Sequence, residues 1–517
     1  MVVPFRRVAA SISVRHFKHS TQHTPFRATR GMTALLLAAL LGGCAVGPDY
    51  VRPAMDLPQA YKEAGPWKVA VPRQVDDHQR WWEAYGDPIL DDLISQANTA
   101  NQTIQQAAAQ YRQAQATAAV AQASLWPTVG VQAGAARAQT NTNGVQRLGD
   151  SYTVGLNASW EADLWGRIRR GVEAGDATAQ ASAASLAAAR LAIQATLAQN
   201  YLQLRVTDLQ KDLYRRTVEA YTRSLQLTTH QYEAGTALRS DVAQAETQLR
   251  SAQAQLIDLD ATRNQLEHAI AMLIGKAPAA FSLAALPPAQ ATDSGMDANA
   301  QRLQASLPLI PAGLPSDLLE RRPDIANAER LAAAANANIG VARAAYFPTL
   351  TLSTSGGYNS ASFANLFNTP SRVWSLGAAL AETLFDGGAR SARNDAAMAA
   401  YDAAAAQYKQ TVLAGLQDVE DNLSTLRVLD QESAAQAQAV RSAQLAERLA
   451  MSQYQAGTLT YLSVVTTQAT SLSNQRSAVT LLGRQLVASV ALIKATGGGW
   501  QVGQPDPASV PAPMAAR

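Results

Sequence analysis

The chain has 517 residues, of which only 16% are charged, and its formal net charge is +3. Six of its Lys and Arg residues lie within the first 43 residues, which contain no acidic residue. The rest of the chain carries 37 basic and 40 acidic side chains, a net charge near −3. This charge gives no basis for nucleic-acid binding.

Residues 1–43 are predicted to be a signal peptide of the lipoprotein type. Their apolar core, Ala34 to Leu41, is too short to span a bilayer, which takes roughly 20 apolar residues. The only cysteine, Cys44, directly follows Leu41-Gly42-Gly43 in an arrangement that resembles the bacterial lipoprotein box. The resemblance predicts covalent lipid on Cys44, and Ala45 after it favours the outer membrane. The alternative is a lone buried thiol.

Residues 44–86 are rich in proline and are predicted to form an extended strap over a neighbouring surface. The chain then contains two copies of one pattern, at 87–275 and 309–497. A linker at 276–308 separates the copies, and a flexible tail at 498–517 follows the second one.

The evidence for the two copies is a set of anchors that recur about 221 residues apart. Trp126-Pro127-Thr128 returns as Phe347-Pro348-Thr349, and Tyr232-Glu233-Ala234-Gly235-Thr236 returns as Tyr454-Gln455-Ala456-Gly457-Thr458. A repeat of this length exceeds the ~20–50 residues of a solenoid unit. It indicates a duplicated half-molecule, which favours a symmetric assembly over an enzyme cleft.

Each copy is predicted to contain a helical region, a strand pair, a long helix, a tight turn and a second helix. In the first copy these are a helical region from Asp87-Pro88 to about Ser124, strands separated by a polar loop at 140–150, a helix from Arg167 to Tyr232, a turn at Gly235 and a helix to Ile274. The second copy matches with a long helix from Ser391 to Tyr454, a turn at Gly457 and a helix to Ala495. Glycine suits the left-handed position that ends a helix.

The strands alternate between apolar residues and small or polar ones. The clearest apolar set is Tyr152, Val154, Leu156, Ala158 and Trp160. Aromatic residues lie at the strand ends, which fits either the core of a soluble sheet or the interfacial girdles of an outer-membrane barrel. The predicted export signal and lipid anchor favour the barrel.

The long helices carry more than one apolar seam. Leu186, Ile193, Leu197, Tyr201 and Leu204 form the first seam, and Leu202, Leu209 and Leu213 begin a second one. Two seams predict neighbours on both sides, as in a ring of helices. An ordinary long coiled coil is the alternative, but a rod does not require embedded strand pairs.

Several motifs resemble those of the TolC-type outer-membrane efflux channels, specifically their lipoprotein branch. The resemblance runs from Cys44 to about Gly497, and its most specific stretch is Pro311 to Ile325. The other residues that carry it are Gly47 to Pro53, Trp81-Trp82, Asp87-Pro88 and the two Tyr-x-Ala-Gly-Thr turns.

The resemblance implies a mainly α fold with transmembrane β-strands. Four strands per chain cannot close a barrel, because the smallest barrels have eight. Three chains would supply twelve, which implies a homotrimer with a 12-stranded β-barrel continuous with a long periplasmic α-helical barrel. The polar strand faces, such as Ser151, Thr153 and Asn157, would line a water-filled pore.

The resemblance also assigns roles to the two helix turns, which would be the periplasmic tips of the helical hairpins. The tips would dock an adaptor through Gly235, Thr236, Ser240, Gly457 and Thr458. The candidate gate residues are Leu462, Asp241 and Tyr461. The second tip departs from the family pattern, because it has Leu459, Ser463 and Thr466 where charged residues are common.

The predicted function is the outer-membrane component of a tripartite efflux system that passively conducts drugs or other small molecules. The implied partners are outer-membrane lipids, a periplasmic adaptor and an inner-membrane transporter of the resistance-nodulation-division type. The alternatives are a type I protein secretion conduit and a structural coiled-coil lipoprotein. We expect no catalytic residues, no metal site and no cofactor beyond the lipid on Cys44, because the sequence shows no nucleophile, phosphate-loop or metal-ligand motif.

Overall fold

The structure is a computed structural model that describes residues 45–63, 78–142, 145–288, 298–308 and 315–500. The predicted signal peptide and Cys44 lie outside the described residues. The same holds for part of the predicted strap, part of the linker, the start of the second copy and most of the tail, at 64–77, 289–297, 309–314 and 501–517.

Each copy contains a strand pair followed by a helical hairpin, as the sequence predicts. The first copy consists of α1 (Pro88–Ala100), α2 (Gln102–Ala123), β1 (Thr128–Thr142), β2 (Val145–Ala162), α3 (Arg167–Glu233) and α4 (Arg239–Leu273). A short helix, α5 (Ala298–Ala305), lies in the linker. The second copy consists of α6 (Leu318–Arg321), α7 (Pro323–Ala344), β3 (Thr349–Ser360), β4 (Arg372–Ala381), α8 (Ala389–Gln455) and α9 (Tyr461–Ala495). The long helices α3 and α8 have 67 residues each, which makes them about 100 Å long.

Short helices stack on the ends of the second hairpin helices and so continue them. The helical region predicted up to Ser124 breaks at Asn101, whose side chain accepts the N–H groups of Thr103 and Ile104 at 2.9 and 3.1 Å and so caps α2. Its amide nitrogen donates to the Leu273 carbonyl at 2.8 Å, where α4 ends. In the second copy Arg322, before α7, donates to the Ala495 carbonyl at 3.1 Å, where α9 ends.

The helices form four side-by-side columns. Their order is α2 with α4, then α3, then α7 with α9, then α8. The first and last columns have no helical neighbour on their outer sides within the described chain. Exposed apolar residues lie on these two columns: Val120, Ile257 and Met272 on the first, and Leu413, Val428, Leu445 and Leu449 on the last.

The four strands form one antiparallel sheet in the order β1-β2-β3-β4. The two strand pairs of the duplication therefore join through β2 and β3, with Val154 opposite Tyr358. Strands β1 and β4 remain at the edges of the sheet, and every residue of β4 is exposed.

The prediction of a polar loop at 140–150 is wrong. Strand β1 continues to Thr142 and β2 begins at Val145, so the hairpin extends well beyond the end of β3. Cross-strand polar contacts hold this extension, including Arg137 with Asp150 at 3.5 Å and a side-chain hydrogen bond from Gln139 to Gln146 at 2.7 Å. Cross-strand pairs of polar residues can hold a hairpin that has no apolar face. Alternating apolar residues therefore do not reveal such a hairpin in the sequence.

Glycines end both long helices in the predicted left-handed conformation, with φ of 75° at Gly235 and 73° at Gly457. After α3, the N–H of Gly235 donates to Tyr232 and that of Thr236 to Gln231. The same pair of hydrogen bonds follows α8. Both turns are therefore Schellman motifs, which fix the direction in which the second helix returns.

Gly497 combines a positive φ of 94° with a close approach to the backbone that precedes α7. A Cβ added there would lie 1.9 Å from the carbonyl oxygen of Arg321. We expect Gly497→Ala to cost about 2–5 kcal/mol, from the left-handed conformation and the overpacking. Gly457→Ala, with nothing within 4 Å of its added Cβ, is the control and should cost only about 1–2 kcal/mol. Chemical unfolding followed by circular dichroism compares the two, and equal losses would contradict the close packing.

A buried ionic cluster fixes the linker to the first hairpin. Arg263 of α4 donates to Asp208 of α3 at 2.9 Å and to Glu267 at 2.5 Å, and Arg205 contacts Asp208 at 3.3 Å. The acids also accept backbone N–H groups of the linker, including that of Leu283 on Glu267 at 3.1 Å. The cluster thus satisfies every one of its charges locally while it holds an otherwise irregular segment.

Removing one member of this cluster is expected to destabilise the first hairpin strongly. Arg263→Leu leaves Asp208 and Glu267 buried without their principal cation, so the free energy of unfolding should fall by about 3–5 kcal/mol. Arg250→Leu is the control on the same helix, because its contact with Glu246 at 3.5 Å is exposed and contributes about 0–1 kcal/mol. Thermal melting of both variants measures the difference, and similar melting temperatures would rule out this role for the cluster.

The described part of the strap crosses three helical columns. The N–H of Val46 donates to Trp165, Asp49 pairs with Arg170 of α3 at 2.7 Å, and Asn336 of α7 donates to the Pro48 carbonyl at 2.9 Å. Further on, Glu420 of α8 accepts the N–H groups of residues 62 and 63 at 2.7 and 2.9 Å. The strap therefore joins the two copies on one face of the helical layer.

Candidate functional site

The first candidate site is the sheet, which has one apolar and one polar face. Direct cross-strand partners share a face, so Val129, Ala158, Leu352, Ala378 and their alternate neighbours lie on one side. This side is uncovered in the protomer: Trp374 is 82% and Leu376 is 78% exposed. The opposite side carries Ser, Thr, Asn and Gly, as between Ser355 and Ser375, whose hydroxyls lie 2.8 Å apart. One apolar and one polar face match the wall of an outer-membrane barrel, which has lipid on one side and water on the other.

Aromatic side chains border the apolar face at both ends. At the helical end, the ring of Trp165 stacks on that of Phe347 at 4.7 Å, and the Trp160 indole N–H donates to the Leu125 carbonyl at 2.9 Å. At the other end Tyr152 and Tyr358 lie on the same apolar face. An amphipathic ring that keeps its polar group hydrogen-bonded suits a membrane–water boundary.

The second candidate site lies at the tips of the two helical hairpins, at residues 234–238 and 456–460. Tyr454 of α8 donates a hydrogen bond from its hydroxyl to the Gln231 side chain of α3. The ring of Tyr454 lies 5.3 Å from that of Tyr461, whose hydroxyl is 3.1 Å from Ser224 of α3. The two hairpins of one protomer are therefore joined just above their tips by a pair of tyrosines, which we call the tyrosine latch.

Burial accounts for the electrostatics of the latch. Desolvation raises the pKa of Tyr454, and the Asp241 carboxylate adds to this rise. The hydroxyl therefore stays neutral and remains a hydrogen-bond donor. Asp241 itself accepts the backbone N–H of Leu238 at 3.2 Å and so caps the first turn of α4.

The predicted tip residues occupy different environments. The docking candidates are all exposed at the two turns: Gly235, Thr236, Ser240, Gly457 and Thr458. Among the gate candidates, Leu462 is 58% exposed, whereas Tyr461 is only 3% exposed and faces the first hairpin. The structure thus brings Tyr461 and Asp241 near Tyr454, and leaves Leu462 free to meet another molecule.

Sequence reasoning missed Gln231, Ser224 and the role of Tyr454. The duplication places a tyrosine before both tips, Tyr232 and Tyr454, but the sequence does not show that Tyr454 is buried and Tyr232 exposed. The partner of each latch tyrosine lies on the other copy, more than 220 residues away along the chain. No spacing rule reaches across that separation.

Within the part of the chain that the structure describes, no three His, Cys, Asp or Glu side chains form a group that could hold a metal ion. One groove lies between α3, α8 and α9 and is lined by residues such as Gln199, Asn422 and Lys494. The candidate sites are thus two surfaces, one apolar and one at the hairpin tips.

The family model for outer membrane efflux proteins matches residues 93–276 and 314–498. The match consists of two stretches that coincide with the two copies of the duplication. It covers more than half of the chain, and it confirms the resemblance on which the predicted fold and function depend.

Individual relatives agree with this family. The chain is 33% identical over 481 residues to the pyoverdine export outer membrane protein OpmQ of Pseudomonas aeruginosa, a match that covers 91% of this chain and 97% of that protein. It is 28% identical over 467 residues to the cation efflux system protein CusC of Escherichia coli, with 90% and 98% covered.

Solved structures show the same fold. The outer-membrane channel OprN superposes with a TM-score of 0.81 at 29% identity, over 89% of this chain and 100% of that one. The open state of the Neisseria gonorrhoeae MtrE outer membrane channel gives 0.76 at 28% identity, over 89% and 99%. The predicted fold class and outer-membrane location are confirmed. The chain belongs to the outer membrane efflux protein family, and it is an efflux channel of the outer membrane.

Proposed function

We propose that three copies of the chain form a passive conduit for small molecules through the outer membrane. An inner-membrane transporter of the resistance-nodulation-division type would deliver the cargo through a periplasmic adaptor. The observation that carries this proposal is the four-stranded sheet, which exposes an apolar face and two unpaired edges.

The edges of the sheet favour a closed ring of copies. An exposed edge strand presents unpaired N–H and C=O groups, which cannot remain unpaired inside a membrane. If β1 of one copy pairs with β4 of the next, three copies give twelve strands and leave no edge. The contact is head-to-tail, and a head-to-tail contact that closes gives a ring.

The helical layer favours the same closure. Its outer columns, α2 with α4 on one side and α8 on the other, expose the apolar residues named above. In a ring of three copies each first column would meet the last column of the next copy. Twelve columns would then enclose a tunnel below the strand barrel.

The position of Ala45 supports a lipid anchor on the adjacent Cys44. A Cβ added to Gly166 would lie 3.0 Å from Ala45, so the strap starts where β2 passes into α3. Trp165 and Phe347 form part of the aromatic border at this level. A lipid attached one residue before Ala45 would therefore enter the membrane beside the barrel without stretching the chain.

We expect Cys44→Ala to abolish metabolic labelling of the protein with palmitate. The chain has no other cysteine, so lipid on any other thiol is impossible. The variant should still insert through its barrel, because the apolar sheet face does not depend on the anchor. Labelling of immunoprecipitated protein is the measurement, and palmitate retained by the variant would contradict the anchor site.

The names of the relatives favour small molecules as the cargo. Their names include pyoverdine export, cation efflux and toluene efflux, all of which concern small solutes or ions. Type I protein secretion is the second candidate, since a wide tunnel lined by small polar residues would also pass an unfolded polypeptide. Deletion of the gene separates them: small-molecule efflux predicts intracellular accumulation of toxic compounds, and secretion predicts loss of a polypeptide from the medium.

The exposed hairpin tips are the surface we propose for the adaptor, and crosslinking tests it. A photo-activated crosslinker at Ser240 or Thr458, in the full-length protein in intact cells, should capture a periplasmic adaptor. The same crosslinker at Arg147, in the extended β1–β2 hairpin at the opposite end of the molecule, is the control and should capture none. Failure at both tips, with the protein correctly inserted, would overturn the tripartite assignment.

We also propose that the tunnel closes at the tips. The tyrosine latch joins the two hairpins of each protomer, and Leu462 projects from the start of α9 just beyond it. Three leucines around a threefold axis would form an apolar constriction that excludes water. In this proposal Tyr461 acts through the hairpin contact, and Asp241 acts through the capped turn of α4.

A further inference from the structure

The loop between β3 and β4, residues 361–371, has a defined conformation although it contains little regular secondary structure. It contains the 3₁₀ turns Phe363–Asn365 and Thr369–Ser371. The Ser371 hydroxyl donates to the Asn365 carbonyl at 2.8 Å, and Leu366 is only 2% exposed. A loop with internal hydrogen bonds and its own buried leucine holds its other side chains in fixed positions.

Two of those side chains are large, apolar and exposed. Phe363 is 70% exposed and Phe367 is 66% exposed. Each also makes an edge-to-face contact with the sheet: Phe363 with Tyr152 at 5.8 Å between ring centroids, and Phe367 with Tyr358 at 5.4 Å. The loop therefore folds down toward a defined face of the sheet.

The strand register identifies that face. Tyr152 lies two residues before Val154, and Val154 pairs directly with Tyr358. Both tyrosines consequently share the apolar face that contains Leu376 and Trp374. The two phenylalanines extend this face at its end farthest from the helices, and the polar face opposite receives neither of them.

The corresponding turn of the first copy differs in shape and in charge. The β1–β2 hairpin projects beyond the sheet and carries Arg137, Arg147 and Asp150, whereas residues 361–371 contain no charged side chain. The first charge after this loop is Arg372, the direct partner of Tyr358 at the end of the apolar face. Exposed phenylalanines beside a lipid-facing surface are side chains that interfacial segments bury at the membrane boundary. Two exposed phenylalanine side chains would not stabilise a loop that faces water.

We propose that the β3–β4 loop of each protomer lies in the outer leaflet, with Phe363 and Phe367 inserted among lipid acyl chains beside the barrel. The inference rests on the proposed insertion of the sheet as a membrane barrel. It assigns the loop to the lipid side of the wall, so the external mouth of the pore is bordered by the charged β1–β2 hairpins alone.

A spin label at Ala364 tests the position of the loop without removing either phenylalanine. The full-length lipidated protein, with Ala364→Cys as its only free thiol, is reconstituted in phosphatidylethanolamine–phosphatidylglycerol vesicles. Collision of the label with oxygen, which concentrates in lipid, is compared with collision with a water-soluble nickel chelate. Leu376→Cys provides the lipid reference, Ser355→Cys the pore reference and Arg147→Cys the external aqueous reference.

The label at residue 364 should give an oxygen-to-nickel ratio several-fold above that at residue 147 and close to that at residue 376. Adding Phe363→Ser and Phe367→Ser to the Ala364→Cys chain should lower the ratio several-fold, while the ratio at residue 376 in the same background stays unchanged. A water-like ratio at residue 364, a ratio insensitive to the two serines, or a label shielded from both reagents by a neighbouring protein would each overturn the proposal. A water-like ratio at residue 376 would instead contradict the proposal that the sheet forms a barrel in the membrane.

Discussion

Replacing Leu376 by arginine is expected to remove the protein from the outer membrane. Leu376 lies in the middle of β4 on the apolar face, where an arginine at the bilayer midplane costs about 2–4 kcal/mol. Three copies in one barrel multiply this to about 6–12 kcal/mol, enough to prevent insertion at any accessible concentration. Outer-membrane fractions, analysed for folded oligomer by semi-native electrophoresis, give the measurement.

The neighbouring residue supplies a matched control. Ser375 points to the opposite face, and its hydroxyl contacts Ser355 across the strand pair. Ser375→Arg should therefore insert normally and place three cations in the pore, which shifts ion selectivity toward anions. If both substitutions were tolerated equally, or if Ser375→Arg were the damaging one, the assignment of the two faces would be wrong.

Replacing Tyr454 by phenylalanine is expected to raise the open probability of the channel. The change removes the hydrogen bond to Gln231 and keeps the ring, so each protomer loses about 0.5–1.5 kcal/mol of contact between its hairpins. If the three tips move together, the loss totals about 1.5–4.5 kcal/mol, a shift of about 10- to 2000-fold toward separated hairpins. Single-channel recording of the purified protein measures the open fraction.

Tyr232 is the natural control for this substitution, because it holds the quasi-equivalent position in the first copy and is exposed. Tyr232→Phe should leave the open fraction unchanged. Tyr461→Phe should act in the same direction as Tyr454→Phe, since it weakens the contact with Ser224. An open fraction that does not respond to either latch substitution would show that the hairpin contact does not hold the tunnel closed.

The sequence predicts those parts of the fold that depend on local patterns. The alternation from Tyr152 to Trp160 predicts both the strand and its two faces, because side chains of a strand point alternately to opposite sides. Gly235 and Gly457 predict the hairpin turns, because only glycine adopts the left-handed position there without strain. The duplication then carries each prediction from one copy to the other.

The remainder depends on contacts between distant residues. Tyr461 and Leu462 are adjacent gate candidates, and successive helical residues point about 100° apart. Which of the two is exposed depends on the neighbouring hairpin, and the structure buries Tyr461 and exposes Leu462. The pairing of Arg263 with Asp208 joins two helices across 55 residues, which no spacing within one helix predicts. The sequence does not predict the extended β1–β2 hairpin, because polar pairs across strands leave no apolar alternation.

Conductance of the purified protein in a planar lipid bilayer tests whether three copies of the chain form a transmembrane channel. We expect stepwise insertion of an oligomer whose crosslinked mass is that of three chains, with each step adding the same ion conductance and with the open fraction raised by Tyr454→Phe. Purified, folded protein that binds the bilayer but conducts no ions, in the original form and in the latch variants alike, would contradict the account.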